Sequence, residues 1–192
     1  MVLSASPLLR WAVALLAFTA LGCSSGESAY FTRGDPIWVR APTLDGQDVY
    51  VGIGILIAQG SDRVHLGSVE ANGVEGDASI EGLAAVLGAE THLVGIGTVD
   101  ALTASGVDLD AYRPITEVSI SAQSGPVALI LKVTGKAWIR GFRDVTLRFE
   151  VDGGVEQIET FPTRATICSG ATLDEALVRC RPIEEQMHSF GT

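Results

Sequence analysis

The chain has 192 residues, 13 Lys+Arg against 23 Asp+Glu, and a formal net charge of −10. With 47% hydrophobic residues, it is long and apolar enough for one domain with its own core, which excludes a wholly disordered protein. The acidic balance excludes nucleic acid as the expected partner, because its phosphates would be repelled.

The first residues set the compartment. Residues 1–10 carry one charge, Arg10, and an apolar run follows from Trp11 to Leu21. A helix over that run would rise about 16 Å, half a bilayer core, so it cannot span. A positive residue, a short apolar core and small residues after it predict a secretory signal peptide over 1–22. The run ends Ala20-Leu21-Gly22-Cys23, followed by Ser24-Ser25-Gly26. This resembles the lipobox of bacterial lipoproteins, where a peptidase cuts before a cysteine that has received a lipid. Leu is usual three residues before that cysteine, and here Ala20 holds the place with Leu21 beside it. The resemblance implies a lipid on Cys23, and a protein held on the outer side of the cytoplasmic membrane or on an outer membrane. The alternative is a secreted protein that starts with a free thiol, since Ala20 and Gly22 also suit an ordinary signal peptidase.

Residues 23–35 are small and polar and read as a tether. Pro36 to Ala41 is the first strand-like stretch, closed by Pro42, and Thr43 to Gly46 reads as a turn. Val49, Val51, Ile53, Ile55 and Ile57 alternate, which predicts one face of a strand, with Gly52 and Gly54 on the other. A Gly-containing turn at 59–62 leads to a strand from Arg63 to Val69, so the two strands read as a hairpin. Residues 71–79 are irregular. Ile80, Leu83, Ala84 and Leu87 have helical spacing, but Gly82 weakens a helix there, and strand or irregular structure is favoured. Thr91 to Val99 is another strand candidate. Its Val94–Gly97 repeats the Val-Gly-Ile-Gly of Val51–Gly54, which reads as two strands approaching other backbone closely. Neither is a phosphate loop, because no third glycine follows at the dinucleotide spacing.

Residues 100–114 are expected to form a loop. Strand-like runs then follow at Ile115–Ala122, Val127–Thr134 and Trp138–Val151, the last broken at Gly141. Asp152-Gly153-Gly154 is a hairpin turn signal. Val155–Phe161 returns, Pro162 marks an edge or a kink, and Thr163–Cys168 completes the set. Thr172-Leu-Asp-Glu175 fits a capping box opening a short helix, which Pro182 is expected to end, leaving a polar tail over 183–192. Many short strands separated by turn signals predict an all-β sandwich over 36–168, with a helical C-terminal tail over 169–192. The Leu-Gly-Ala at 87–89, Asp110-Ala-Tyr-Arg-Pro114, the run from Gly141 to Val151 and the Thr-x-Cys at 166–168 resemble small immunoglobulin-like domains of bacterial envelope proteins. That resemblance implies fold and location, and carries no catalytic residues.

With Cys23 set aside, Cys168 and Cys180 remain, and an exported setting favours their disulfide over two buried thiols. It would be worth roughly 3 kcal/mol in the chain-entropy model. No metal site is expected, because no Cys or His has zinc-ligand spacing beside either cysteine. His65, His92 and His188 are too far apart in sequence to form a local metal pair. Asp100, Asp108 and Asp110 read as a solvated acidic loop rather than a calcium site. Arg33-Gly34-Asp35 spells an integrin-type tripeptide of the kind that arises by chance. Trp38, Trp138, Tyr50, Tyr112 and Phe142 read as core packing, with a ligand groove as the alternative. No nucleophile elbow is present, so no catalytic residue and no cofactor is assigned. The expected function is a membrane-anchored, non-enzymatic binding or structural module meeting an envelope protein or glycan. The alternatives are a secreted acidic-site enzyme such as a glycan hydrolase, and an assembly factor that adds a strand to a partner.

Overall fold

The computed structural model describes residues 31–32, 37–58, 63–87, 95–121 and 123–188. In chain order its strands are β1 (Phe31–Thr32), β2 (Ile37–Leu44), β3 (Val49–Leu56), β4 (Arg63–Asn72), β5 (Ser79–Val86) and β6 (Ile96–Thr98). A short helix, α1 (Val99–Ala104), follows, and then β7 (Arg113–Pro114), β8 (Ser119–Ser121) and β9 (Val127–Thr134). The chain continues through β10 (Ile139–Phe142), β11 (Asp144–Val151), β12 (Glu156–Phe161), β13 (Thr163–Gly170) and a C-terminal helix, α2 (Leu173–His188). The strands form three sheets. Sheet A has the order β1-β3-β9-β5-β7 with β6 beside β3, sheet B is β10-β13-β2, and sheet C is β12-β11-β4-β8. This is the expected all-β class with one C-terminal helix, in layers compatible with an immunoglobulin-like domain.

β9 explains how the layers meet. Val127, Leu129, Leu131 and Val133 enter the main core with Val64 and Leu66 of β4, Val145, Leu147 and Phe149 of β11, and Ala165 and Ile167 of β13. Ala128 and Ile130, on the opposite face of β9, enter a second cluster with Tyr50, Leu102, Val107 and Tyr112. A strand apolar on both faces must be covered on both, which accounts for its unbroken run Val-Ala-Leu-Ile-Leu. The segment 99–112 supplies the second cover, so the expected loop there contains α1. Thr98 caps α1 by accepting from the Ala101 N–H, and Gly106 leaves it with φ +84°.

Two bulges reset the alternation. In β3 the register against β9 slips between Gly52 and Gly54. Leu56 therefore turns inward beside Val49, Val51 and Ile53, while Ile55 and Ile57 leave the core. In β4 two residues, Gly67 and Ser68, sit opposite Arg148, and Val69 turns toward the core. A Cβ on Gly67 would lie 3.1 Å from the Arg148 carbonyl oxygen, so glycine suits the bulge. The expected β3–β4 hairpin does not form, because β3 pairs in sheet A and β4 in sheet C. Each strand's inward side chains fill one side of the shared core, which places the two strands in facing layers. The paired Val-Gly-Ile-Gly segments do approach closely: β6 lies antiparallel to β3, and Gly52 N–H donates to Gly95 C=O at 2.7 Å.

Other boundaries differ from expectation for local reasons. Phe31–Thr32, inside the expected tether, pairs with β3. β2 runs through Pro42, which an edge strand tolerates because a ladder bond is needed on one side alone. The 80–87 segment is the strand β5. Ile115–Glu117 forms a 3-10 turn ahead of β8. The break between β10 and β11 falls at Arg143 rather than Gly141, which lies within β10. The Asp152-Gly153 turn joins β11 to β12 with φ of +52° and +69°, the mirror-type turn that matches strand twist. Pro162 marks the kink at which the chain passes from edge strand β12 to sheet B. β13 extends beyond Cys168 to Gly170.

Helix α2 covers the outer face of sheet B. Ala176 and Cys180 turn inward, and Cys180 is disulfide-bonded to Cys168 of β13 with a Cα–Cα distance of 5.6 Å. At its start Glu175 N–H donates to Thr172 Oγ1 at 3.2 Å, while the Glu175 carboxylate accepts from Ala171 N–H at 2.9 Å. The helix continues past Pro182 to His188 instead of stopping there. Proline's fixed φ is itself helical, so the chain can continue with one hydrogen bond lost. Replacing both cysteines with alanine should lower stability by about 3 kcal/mol, read as a shift in the urea midpoint. Leu131→Ala, in the middle of β9, should cost about 2–5 kcal/mol in the same assay.

Candidate functional site

Sheet B meets the edge of sheet A around a cleft of about 450 Å³. One wall is the end of β2, residues 40–44. The other is Ile96, Gly97 and Thr98 of β6 with Ala101 of α1, and Leu173 closes one side. The lining is mainly apolar. A smaller recess of about 180 Å³ adjoins it, formed by Gly46, Gln47, Asp48, Thr98, Val99 and Asp100. Gly97 sets the spacing of the second wall, because a Cβ there would meet the Leu102 side chain at 3.1 Å.

The polar groups at the rim are largely committed to structure. Leu44 N–H donates to Gln47 Oε1 at 3.1 Å, and Gln47 N–H returns to Leu44 C=O at 3.2 Å. Asp48 is paired with Lys132 at 3.2 Å, and that carboxylate holds the Lys132 ammonium above its ordinary pKa. Below the turn lies Arg140, buried among strands. Its guanidinium donates to Gln47 C=O at 2.6 Å, to Ala137 C=O at 3.3 Å and to Ser169 Oγ by a shorter bond, while its Nε has no partner. Burial lowers its pKa, and Asp77, Asp48 and Asp45 act in the opposite direction. Arg140 thus ties the β2–β3 turn, which floors the recess, to β10 and β13. Sequence reasoning missed it. The available signal was an arginine two residues before Phe142, in phase with the inward face of a strand.

The residues singled out in the sequence do not converge on this cleft. Cys23, His92 and Arg33-Gly34-Asp35 lie outside the described residues. Cys168 and Cys180 are the buried staple beneath α2. His65 stands on the solvent face of β4 with its Nδ1 2.8 Å from Ser119 Oγ. His188 ends α2. Asp108 accepts from Asp110 N–H at 3.0 Å, a local turn cap, and only Asp100 of that acidic group reaches the recess. No group of three His, Cys, Asp or Glu side chains placed to hold a metal ion occurs among the described residues. Tyr50, Tyr112 and Phe142 are buried as expected. Trp38 and Trp138 are not core residues, being 44% and 53% exposed. Each lies beneath an arginine instead, Trp38 under Arg164 and Trp138 under Arg179.

Asp77 holds the loop that leads to Trp138 and Arg140. Its carboxylate accepts from Lys136 N–H at 2.9 Å and from Ala137 N–H at 2.8 Å. Those backbone bonds depress its pKa, Ala137 first, then Lys136. A carboxyl that binds protons less readily in the fold than in the unfolded chain stabilises above its unfolded pKa, about 3.9, and loses that effect as pH falls through its folded pKa. Thermal midpoints measured from neutral pH to pH 3 should therefore fall less steeply in Asp77→Asn than in the unsubstituted chain.

No protein-family model and no curated protein matches this sequence. Among solved structures, the Proteus mirabilis Ambient Temperature Fimbriae adhesin AtfE is similar at 13% identity, with 71% of this chain and 99% of that chain covered and a TM-score of 0.21. A likeness of that size carries no argument about this chain's activity.

Proposed function

We propose that this chain is an envelope lipoprotein, held to a membrane by a lipid on Cys23, whose β domain is a non-enzymatic binding or structural module. The observation that carries the reading is the cleft between β2 and the β6–α1 junction. It is preformed on strands and mainly apolar, and Gln47 at its rim and Asp48 of the adjoining recess are engaged in structural bonds. Such a site fits an apolar part of a partner better than it fits chemistry on a substrate. The partner is an envelope protein or a glycan met by this cleft.

One observation favours the enzyme alternative. Asp48 and Asp100 line the same recess, as a pair of carboxylates acting on a glycosidic bond would. Against it, Asp48 is occupied by Lys132. The strand-adding alternative gains little from the β2 edge, where Pro42 has no N–H and the backbone groups of Leu44 are taken by Gln47.

Intact mass measured on protein from its native envelope, with and without reduction, tests the reading. A chain starting at Cys23 with a diacylglyceryl increment and a two-proton gain on reduction is expected. An unmodified chain would overturn the anchor. Turnover of an envelope polysaccharide that is lost in Asp100→Asn would overturn the non-enzymatic part.

A further inference from the structure

Most outer strands of this fold are short or already faced. β1 and β7 have two residues each, and β6 and β8 have three. β10 is bonded on its outer side by Glu75, whose N–H donates to Gly141 C=O at 2.9 Å and whose C=O accepts from Gly141 N–H at 3.2 Å. β2 faces β6 across the cleft, and Pro42 interrupts its donors. β12 differs. It has six residues, it ends sheet C with β11 on one side, and among the described residues no strand lies along its other edge. No lysine or proline from Val155 to Phe161 guards that edge.

The side chains of β12 divide between two faces. Gln157, Glu159 and Phe161 stand on the core side, opposite Phe149, Leu147 and Val145 of β11. Glu156, Ile158 and Thr160 stand on the solvent side. Two apolar side chains are left in water here. Ile158 is 56% exposed, and Val155, one residue before the strand, is 85% exposed, the highest value among the exposed large apolar residues. Glu156, the acid on the solvent side, is paired with Arg148 at 3.1 Å. Glu159 is the acid on the core side, and it is buried beside the open edge. An inward charge of this kind resists pairing with an apolar strand, so a strand that pairs here must set a hydrogen-bond donor opposite it.

The geometry points to β12 as the interface of a symmetric dimer, in which the strand pairs antiparallel with β12 of a second copy about a twofold axis at Ile158. In a continuous sheet, residues that stand opposite each other share a face, so the axis passes through a residue of the strand. An axis at Glu156 or at Glu159 sets two carboxylates directly opposite. At Gln157 it sets Ile158 against Glu156 and Val155 against Glu159. At Thr160 it sets Glu159 against Phe161 and brings Pro162 into the pair. At Ile158 the strand complements itself. Ile158 meets Ile158 of the second copy, Val155 meets Phe161, Glu156 meets Thr160, and the Gln157 amide donates to the Glu159 carboxylate. That match, the buried acid included, selects a second copy over an unrelated apolar strand. No residue of sheet C lines the cleft, so both clefts stay open and the dimer can hold a partner at two points. The inference depends neither on the lipid at Cys23 nor on what the cleft binds.

The test weighs the full chain by sedimentation in mild detergent, where the unsubstituted chain should be a dimer. Ile158→Lys should weaken the dimer by about tenfold or more, because like charges then stand directly opposite, and mixing it with Ile158→Glu should restore pairing. Circular dichroism and an intact Cys168–Cys180 bond check the fold of each variant. Oxidation reads the register. In Ile158→Cys the two substituted positions are about 5 Å apart, and their thiols should join as a disulfide, passing two electrons and two protons to oxidised glutathione. In Thr160→Cys the two positions are four residues apart along the pair, about 13 Å, and should not join. The oxidation is repeated in the native envelope. A monomeric unsubstituted chain overturns the dimer. A dimer that Ile158→Lys leaves intact overturns the assignment to β12. Cross-linking at position 160 without cross-linking at 158 overturns the register. A cross-link from position 158 to a different protein overturns the second copy as the occupant.

Discussion

Burial of β9 on both faces is the constraint from which the architecture follows. An amphipathic strand would need one partner layer. The Val127–Leu131 run needs two, and each has a different source. On one side the inward faces of sheets B and C close the main core. On the other, the short helix α1 and the segment to Tyr112 supply the cover among the described residues. Packing this second layer brings the β6–α1 junction alongside the end of β2, and the cleft is the gap that remains between them. The cleft is thus a consequence of a strand that must be covered twice.

A buried arginine fixes the same region from below. Arg140 is fully enclosed, and a cation without bonds there would be costly. Its hydrogen bonds reach the β2–β3 turn, the loop before β10 and the side chain of Ser169, so three chain segments share one guanidinium. Asp77 fixes the same loop through backbone N–H groups. The rim of the cleft therefore depends on polar bonds within the protein, which suits a preformed site more than a moving one.

Sheet B is finished differently from the other layers. Its outer face receives one helix, stapled by Cys168–Cys180, and that helix covers the middle of the face while leaving tryptophans at both ends. Arg164 and Arg179 stack on those rings and are themselves paired with Glu75 and Glu175.

The sequence alone carried the β class, because alternation and turn chemistry are local. The Asp152-Gly153 turn, the capping box at Thr172 and the uninterrupted β9 run were all legible for that reason. The Cys168–Cys180 pair was also legible, since setting Cys23 aside as part of the expected leader leaves two cysteines and one pairing. Tertiary structure decided the rest. The bulges at Ile53 and Gly67 change which side chains face the core, and a bulge is set by the partner strand's register. The β3–β4 pair reads as a hairpin locally, yet each strand gains more by burying its apolar face in a separate layer. Trp38 and Trp138 looked like core residues by type, and their exposure follows from the outward phase of Trp38 in β2 and from the limited cover that α2 gives sheet B. The cleft and Arg140's role had no signal in any one segment, because both arise where distant strands are forced together around a shared core.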